Sequence, residues 1–381
     1  MREVVILGST GSIGRQALEI VATHKGSFRV VAISSAGSDP TLVIEQAKAF
    51  NVQFVGVIKN ADEIRRALPG VTVIDGPLAS TEIAAIECDV VLNAITGSIG
   101  LGPTLAALEA GNTLALANKE SLVAAGELVM SKARVNQIIP VDSEHSAIWQ
   151  CSLAGKKDEV RRLILTASGG PFMERNDLQA VSVADALKHP TWNMGAVVTI
   201  NSATLVNKGL EIIEAHHLFD VPYSSIDAVI HRQSVVHSMV EYVDGSTIAQ
   251  ASPPNMKGAI AYALNFPERL EKATDAIDWG TKHNWSFEPI DSAKFPAVEL
   301  ARVCGESGGA MSAIFNAANE VAVEAFIAQK IGFTSILPLV QEVVEACQGY
   351  ATSILRDLAD VSGIEENARA RAHELLIRLA P

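Results

Sequence analysis

Short apolar runs alternate with helix-period stretches through the first 140 residues. Residues 4–7, 29–33, 54–58, 71–74, 90–94, 113–117 and 138–141 are rich in Val, Ile and Leu and predict strands. Residues 14–23, 40–50 and 102–110 predict helices between them. Continuous apolar strands separated by helices indicate a parallel sheet covered on both faces, an α/β arrangement of the Rossmann-like kind. The pattern changes after residue 158. Strands at 160–167, 228–231, 235–242 and 247–250 are mixed with helix and loop, and Asp244-Gly245 predicts a hairpin turn. Residues 266–295 hold Pro267, Trp279, Trp285 and Pro289 with little periodicity and predict a linker. Helices are then expected at 308–329, 336–347, 352–360 and 364–379. The expected organisation is an N-terminal Rossmann-like domain over 1–141, an α+β domain over 142–265, a linker over 266–295 and a C-terminal helical bundle over 296–381.

Composition narrows the function classes. The chain has 381 residues, 48% hydrophobic and 19% charged, with a formal net charge of −13. This is a globular profile, and it excludes disorder and collagen. A strongly acidic chain is a poor binder of nucleic acid or anionic membrane. No apolar run reaches the roughly 18 residues of a membrane helix. Cys88, Cys151, Cys304 and Cys347 stand in no metal-ligand spacing and read as reduced thiols. No secretory h-region with a cleavage site follows Met1, so a cytoplasmic protein is expected.

The clearest chemical signal follows the first strand. Gly8, Gly11 and Gly14 in Gly8-Ser9-Thr10-Gly11-Ser12-Ile13-Gly14 permit a tight turn, close backbone approach and close helix packing. The backbone N–H groups of the next helix would then face a pyrophosphate. The spacing is GxxGxxG rather than GxGxxG, and an ordinary strand–helix turn is the alternative. After the second strand, Ser34-Ser35-Ala36-Gly37-Ser38 lacks the carboxylate that holds the ribose of NAD, which favours NADP. No Arg or Lys stands in that stretch.

Further candidates lie downstream. Asp142 and Glu144 would point to one side of an extended chain and reach one cation, although a solvated strand end fits the same pair. His145 alone reads as structural or surface. Asn207 and Glu211 share a helix face beside Lys208, and Ser202 is placed to cap that helix. Ser168-Gly169-Gly170 ends a strand in a turn suited to an anion or to a plain loop. Residues 188–195 form a loop with Trp192 and Met194, either a lid or a packed turn. Asn118-Lys119-Glu120-Ser121 follows a strand, where ligands of such sheets bind.

In this order these segments resemble the 1-deoxy-D-xylulose 5-phosphate reductoisomerase family. The match runs through GSTGSIG at 8–14, ANKES at 117–121, PVDSEHSA at 140–147, LTASGGPF at 165–172, HPTWNMG at 189–195, NSATLVNKGLEIIEA at 201–215, HRQSVVHSMVEYVDGS at 231–246 and FNAANEVAVEAF at 315–326. The resemblance implies an NADPH- and Mg²⁺-, Mn²⁺- or Co²⁺-dependent homodimer. It would convert 1-deoxy-D-xylulose 5-phosphate to 2-C-methyl-D-erythritol 4-phosphate in non-mevalonate isoprenoid synthesis. It implies Asp142, Glu144 and Glu211 as metal ligands, with Ser143 touching substrate and Lys119 near its reacting oxygens. Ser168, Ser202, Asn207 and Lys208 would hold the substrate phosphate with help from His189, and Trp192 and Met194 would belong to a lid. Gly8, Thr10, Gly11, Ser12, Ile13, Ala36, Gly37, Ser38, Asn118, Glu120 and Gly195 would face the cofactor. The chain departs from the family pattern at Ala36-Gly37-Ser38, Val197, Asn201, Asn255 and Lys257. A plain NADP dehydrogenase indifferent to chelators, or a cofactor-binding sensor, are the competing readings. The retained carboxylates, Lys119 and Lys208 count against both.

Overall fold

The computed structural model describes residues 1–379. Its contacts divide the chain into two compact units: Met1–Ser121 with Val129–Ser146 and Asn255–Asp275, and Leu122–Leu128 with Ala147–Pro254 and the chain from Ala276 onward.

The first unit is built on seven parallel strands: β1 (Arg2–Leu7), β2 (Phe28–Ser35), β3 (Phe54–Val57), β4 (Thr72–Asp75), β5 (Val90–Asn93), β6 (Thr113–Leu116) and β7 (Ile138–Pro140). Their spatial order is β4-β3-β2-β1-β5-β6-β7. The strand order reverses at β1, which pairs with β2 on one side and β5 on the other. A crevice at such a switch point, beyond the carboxyl ends of the strands, is where doubly wound sheets take ligands. Val4, Val5, Ile6 and Leu7 are wholly buried, as expected of a central strand covered on both faces. Helix Pro40–Phe50 has Asp39 accepting from the Leu42 N–H, proline in its first turn and left-handed Asn51 at its end. Helix Ser12–Thr23 packs against Lys257–Asn265, which returns a late segment to this unit. Two departures from the family pattern serve that packing. Asn255 accepts from the Lys257 N–H at 3.0 Å and donates to Thr274 Oγ1 at 2.6 Å. Lys257 pairs with Glu19 at 2.8 Å.

The second unit has a five-stranded mixed sheet made from β8 (Val160–Ala167), β9 (Ile226–Ile230), β10 (Val236–Tyr242), β11 (Thr247–Ala251) and β12 (Glu288–Pro289), ordered β11-β10-β8-β9-β12. β8 and β9 run parallel, and the other neighbours are antiparallel. The Asp244-Gly245 hairpin joins β10 to β11, with Gly245 at φ +86° donating to the Tyr242 carbonyl. One hydrophobic cluster joins Leu163 and Leu165 of β8, Ile212 and Ile213 of helix Val206–Phe219, and Ala301, Phe315 and Val340 of the later helices.

The expected four-part division is therefore redrawn. The C-terminal helices share one core with the α+β segment, since Ala301, Phe315 and Val340 lie in one cluster with Leu163 and Ile212. The 255–275 segment joins the first unit because its helix packs there. Residues 266–295 are irregular apart from β12. The helix expected at 352–360 is instead a 3₁₀ turn at Gln348–Thr352 followed by Leu358–Leu379, and Ala297–Ser307 is an additional helix behind Pro296.

Two glycines set the β1 turn. Gly8 has φ +75°, and a Cβ there would stand 2.6 Å from the Ala94 carbonyl oxygen. A Cβ on Gly14 would overlap the Gly8 carbonyl oxygen. Gly8→Ala and Gly14→Ala are each expected to cost about 1–3 kcal/mol of stability by overpacking. Gly332→Ala, with open space around it, serves as the control. Urea midpoints of the three variants check this.

Candidate functional site

The glycine turn leads straight into helix Ser12–Thr23, whose N-cap Gly11 supplies no side-chain cap. The first N–H groups of that helix are therefore capped by no N-cap side chain, the arrangement a pyrophosphate requires. Gly11 N–H donates to the Gly8 carbonyl at 3.0 Å, and Gln46 Nε2 donates to the Ser9 carbonyl at 3.0 Å, so the loop is braced from both sides. Thr10, Ser12 and Ile13 lie on it. Ala36-Gly37-Ser38 follows β2, with Gly37 at φ +74°.

Across the switch point, Asn118 is buried and fully engaged. Its Nδ2 donates to the Ile95 and Gly97 carbonyls at 2.7 and 2.9 Å, and its Oδ1 accepts from Ser121 N–H at 3.0 Å. Glu120 accepts from Gly97 N–H at 3.0 Å. Both residues shape the loop after β5.

Lys119 and Asp142 stand just beyond the neighbouring strands β6 and β7, and form an ion pair of 2.7 Å that is nearly closed to solvent. Burial works to raise the Asp142 carboxyl. The Lys119 charge and the adjacent His145 outweigh it and hold the group well below the ordinary carboxylate range. His145 is completely buried with Nδ1 3.2 Å from Asp142, so its structural role is to hold that carboxylate. The extended Asp142-Ser143-Glu144 expected from sequence is corrected here. Glu144 N–H donates to Asp142 Oδ1 at 3.2 Å, Ser146 N–H donates to the Asp142 carbonyl, and helix Ser143–Ser152 starts at once. Asp142 is the cap and Glu144 sits in the first turn. Ser143 donates to Glu144.

In the second unit, helix Val206–Phe219 carries Asn207, Lys208 and Glu211. The expected shared face is present: Asn207 donates to Glu211, and buried Lys208 pairs with buried Glu211 while also donating to the Thr166 carbonyl of β8. Ser202 is not the cap of this helix. It lies in the last turn of Ala196–Ala203, and the cap position is Leu205 in a left-handed conformation. Gly169 and Gly170 turn at φ +84° and +65°, and a Cβ on Gly170 would stand 2.9 Å from the Ser202 carbonyl oxygen. Ser168, Ser202 and Lys208 are thereby gathered around the exit of β8.

His189 joins them from the loop. Its Nδ1 accepts the Thr191 and Trp192 N–H groups at 3.1 and 2.9 Å. The neutral ring therefore carries its proton on Nε2, which donates to Ser168 Oγ at 2.9 Å. The Ser168 hydroxyl hydrogen is left to point elsewhere. Trp192 meets the His237 ring edge to face at 6.1 Å. Gly195 opens helix Ala196–Ala203 with free space around it, and Val197 packs on the core. Asn201 accepts from buried Asn319 at 3.0 Å, a bond a neutral amide makes without burying a charge.

Sequence reading missed two neighbours of the cofactor loop. Lys59 N–H donates to the Ala36 carbonyl at 3.1 Å, and Asn60 Nδ2 donates to the Gly37 carbonyl at 2.8 Å. The signal was their place at the end of β3, which is parallel to β2 and pairs with it.

A doubly wound sheet with this turn at its switch point, in one chain with an α+β unit, places the protein in the class of Rossmann-type α/β proteins with a second, mixed-sheet unit. Comparison with known proteins narrows the class. The family model for 1-deoxy-D-xylulose 5-phosphate reductoisomerase matches residues 4–126, and those for its C-terminal domains match 138–219 and 251–371. Proteins of that name from Kitasatospora griseola and Streptomyces coelicolor are 54% and 51% identical, covering 98% and 100% of this chain and 99% and 94% of theirs. The Zymomonas mobilis enzyme solved with NADPH is 39% identical, with a TM-score of 0.91 over 98% of this chain and 99% of its own. A structure with NADPH, fosmidomycin and magnesium is 36% identical, with a TM-score of 0.95 over 100% and 99%. The chain belongs to the 1-deoxy-D-xylulose 5-phosphate reductoisomerase family.

Burial pushes the imidazoles of His189 and His217 down to about 4 from an ordinary 6.5. The folded state thus favours the neutral rings. Their contribution is complete above about 6.5 and is lost as pH falls through about 4. The urea midpoint is expected to be lower at pH 5 than at pH 7, and His189→Gln with His217→Gln should flatten that difference. An equal slope in the double variant would refute the assignment.

Proposed function

We propose that the residues gathered above carry out the family's reaction in this chain. The enzyme is an NADPH- and divalent-metal-dependent oxidoreductase that rearranges and reduces 1-deoxy-D-xylulose 5-phosphate to 2-C-methyl-D-erythritol 4-phosphate, a step of non-mevalonate isoprenoid synthesis. The observation that carries the residue assignment is the two lysine–carboxylate contacts, Lys119 with Asp142, nearly closed to solvent, and Lys208 with Glu211, buried.

Asp142, Glu144 and Glu211 are read as the metal ligands. Their donor chemistry fits, since carboxylate oxygens without sulfur suit Mg²⁺, Mn²⁺ or Co²⁺. The uncapped N–H groups after Gly11 fit a pyrophosphate. When bound, NADPH supplies the hydride and the metal ion supplies Lewis-acid charge beside the substrate oxygens. Lys119 holds a proton-rich ammonium beside those oxygens, and Ser143 adds a hydroxyl. Ser168, Ser202, Asn207 and Lys208 bind the substrate phosphate. His189 orients Ser168 by donating to its oxygen, so the hydroxyl hydrogen is free for the phosphate. Trp192 and Met194 exclude water as a lid, with Gly195 beside the cofactor. Phosphate contacts remote from the reacting carbons orient the substrate for C–C cleavage and re-formation, and a retro-aldol–aldol route and an α-ketol shift lead to the same aldehyde.

The chain is read as a cytoplasmic homodimer. Among the described residues all four cysteines are unbridged, and no helix is long and apolar enough to cross a membrane. β11 lies at a sheet edge with Ile248 exposed, an edge open to pairing with a second copy.

The deciding experiment mixes the protein with 1-deoxy-D-xylulose 5-phosphate, NADPH and Mg²⁺ and follows nicotinamide absorbance with and without EDTA. Oxidation is expected only in the metal-replete sample, and its absence there would overturn the reading. Glu211→Gln is expected to lower kcat by more than about a hundredfold, since even groups bonded to a metal ligand are worth 10- to 100-fold. NADPH binding should stay close to wild type in that variant.

A further inference from the structure

The loop after β2 poses a problem that its own residues do not solve. An NADP 2′-phosphate needs positive charge, and residues 34–39 offer hydroxyls, backbone N–H groups and the acidic Asp39. The geometry points to Lys59 as the residue that supplies this charge, making it the determinant of NADPH over NADH. The inference rests on the NADPH reading above and deepens it.

Three observations carry it. First, Lys59 is fastened to the loop. Its N–H donates to the Ala36 carbonyl at 3.1 Å, a Cβ on Gly37 would overlap its carbonyl oxygen, and Asn60 closes the bracket by donating to the Gly37 carbonyl at 2.8 Å. Left-handed Gly37 and left-handed Asn60, at φ +74° and +59°, make this close approach possible. The Lys59 backbone is thus one hydrogen bond from the loop, and its flexible four-carbon stem can bring an ammonium over it.

Second, the surrounding carboxylates are occupied elsewhere. Asp39 accepts from Leu42 N–H, while Asp62 and Asp75 both pair with Arg65 at 2.8 Å. Lys59 is exposed and, among the described residues, forms no ion pair. Third, the remaining groups suit a phosphate. Ser35 Oγ accepts the Gly37 N–H at 3.1 Å, so its hydroxyl hydrogen can turn outward, and Ser38 adds a second hydroxyl. An ammonium beside two hydroxyls binds a phosphate dianion more strongly than it binds a bare ribose hydroxyl.

The charge on β3 thus replaces a charge missing after β2. A reading confined to one linear motif would score this site as weakly selective. The two parallel strands instead deliver the loop and the lysine to the same edge.

The test measures dissociation constants of NADPH and NADH, without substrate, for wild type, Lys59→Gln and Lys59→Arg by nicotinamide fluorescence. Wild type is expected to prefer NADPH. Lys59→Gln should weaken NADPH by about tenfold or more, the scale of one charge-assisted hydrogen bond, and leave NADH within about twofold. Lys59→Arg should retain most of the preference. Competition by 2′,5′-ADP should weaken in Lys59→Gln, while competition by 5′-AMP should not. If wild type binds both cofactors equally, the NADPH reading itself fails. If wild type prefers NADPH and Lys59→Gln keeps the same ratio, or loses both cofactors equally, the role given to Lys59 is overturned.

Discussion

A buried carboxylate must find a cation, and that requirement organises both units. An uncompensated ion in the interior costs several kcal/mol. Glu211 meets the requirement with Lys208, one turn back on the same helix. Lys208 also donates to the Thr166 carbonyl, so the charge pair pins helix Val206–Phe219 to the last residues of β8. The exit of β8, and with it Ser168 and the Gly169-Gly170 turn, is placed by that tie. Asp142 meets the same requirement with Lys119, and there the tie runs between the ends of two adjacent parallel strands.

Much of this was legible in the sequence because it is local. The seven strands of the first sheet follow from apolar runs that need cover on both faces, and Gly8 and Gly14 follow from a turn with no room for a Cβ. The i,i+4 relation of Asn207 and Glu211 is a property of any helix, and it holds here. The motif order from residue 8 to 326 was long enough to indicate the family, and the full-length relatives agree.

What escaped was set by contacts distant in sequence or by a single hydrogen bond. Asp142 looked like one of two alternating strand residues. Its carboxylate instead accepts the Glu144 N–H and starts a helix, so Ser143 and Glu144 are helical rather than extended. Ser202 looked like a cap because Ser and Thr favour that position, yet Thr204 Oγ1 accepts the Val206 N–H at 3.4 Å and left-handed Leu205 makes the break. The 255–275 segment reads as the end of one domain and the start of a linker. Its place in the first unit depends on Asn255, Thr274, Lys257 and Glu19, a set of partners no periodicity announces. The C-terminal helices look self-sufficient as a bundle, but their apolar residues lie in one cluster with those of β8 and helix Val206–Phe219.

The same distinction explains how a chain of net charge −13 can handle phosphorylated ligands. Net charge governs encounters at a distance and is screened within roughly 10 Å at ordinary salt. Binding is decided inside that distance by groups already oriented. Helix N–H groups after Gly11 carry no formal charge and appear in no count of residues. Lys119 and Lys208 are inside the fold, where their fields are weakly screened, and each is held in place by a carboxylate before any ligand arrives. An acidic surface repels polyanions that need many weak contacts. A small phosphate needs only a few strong ones, so a negative net charge is compatible with phosphorylated ligands.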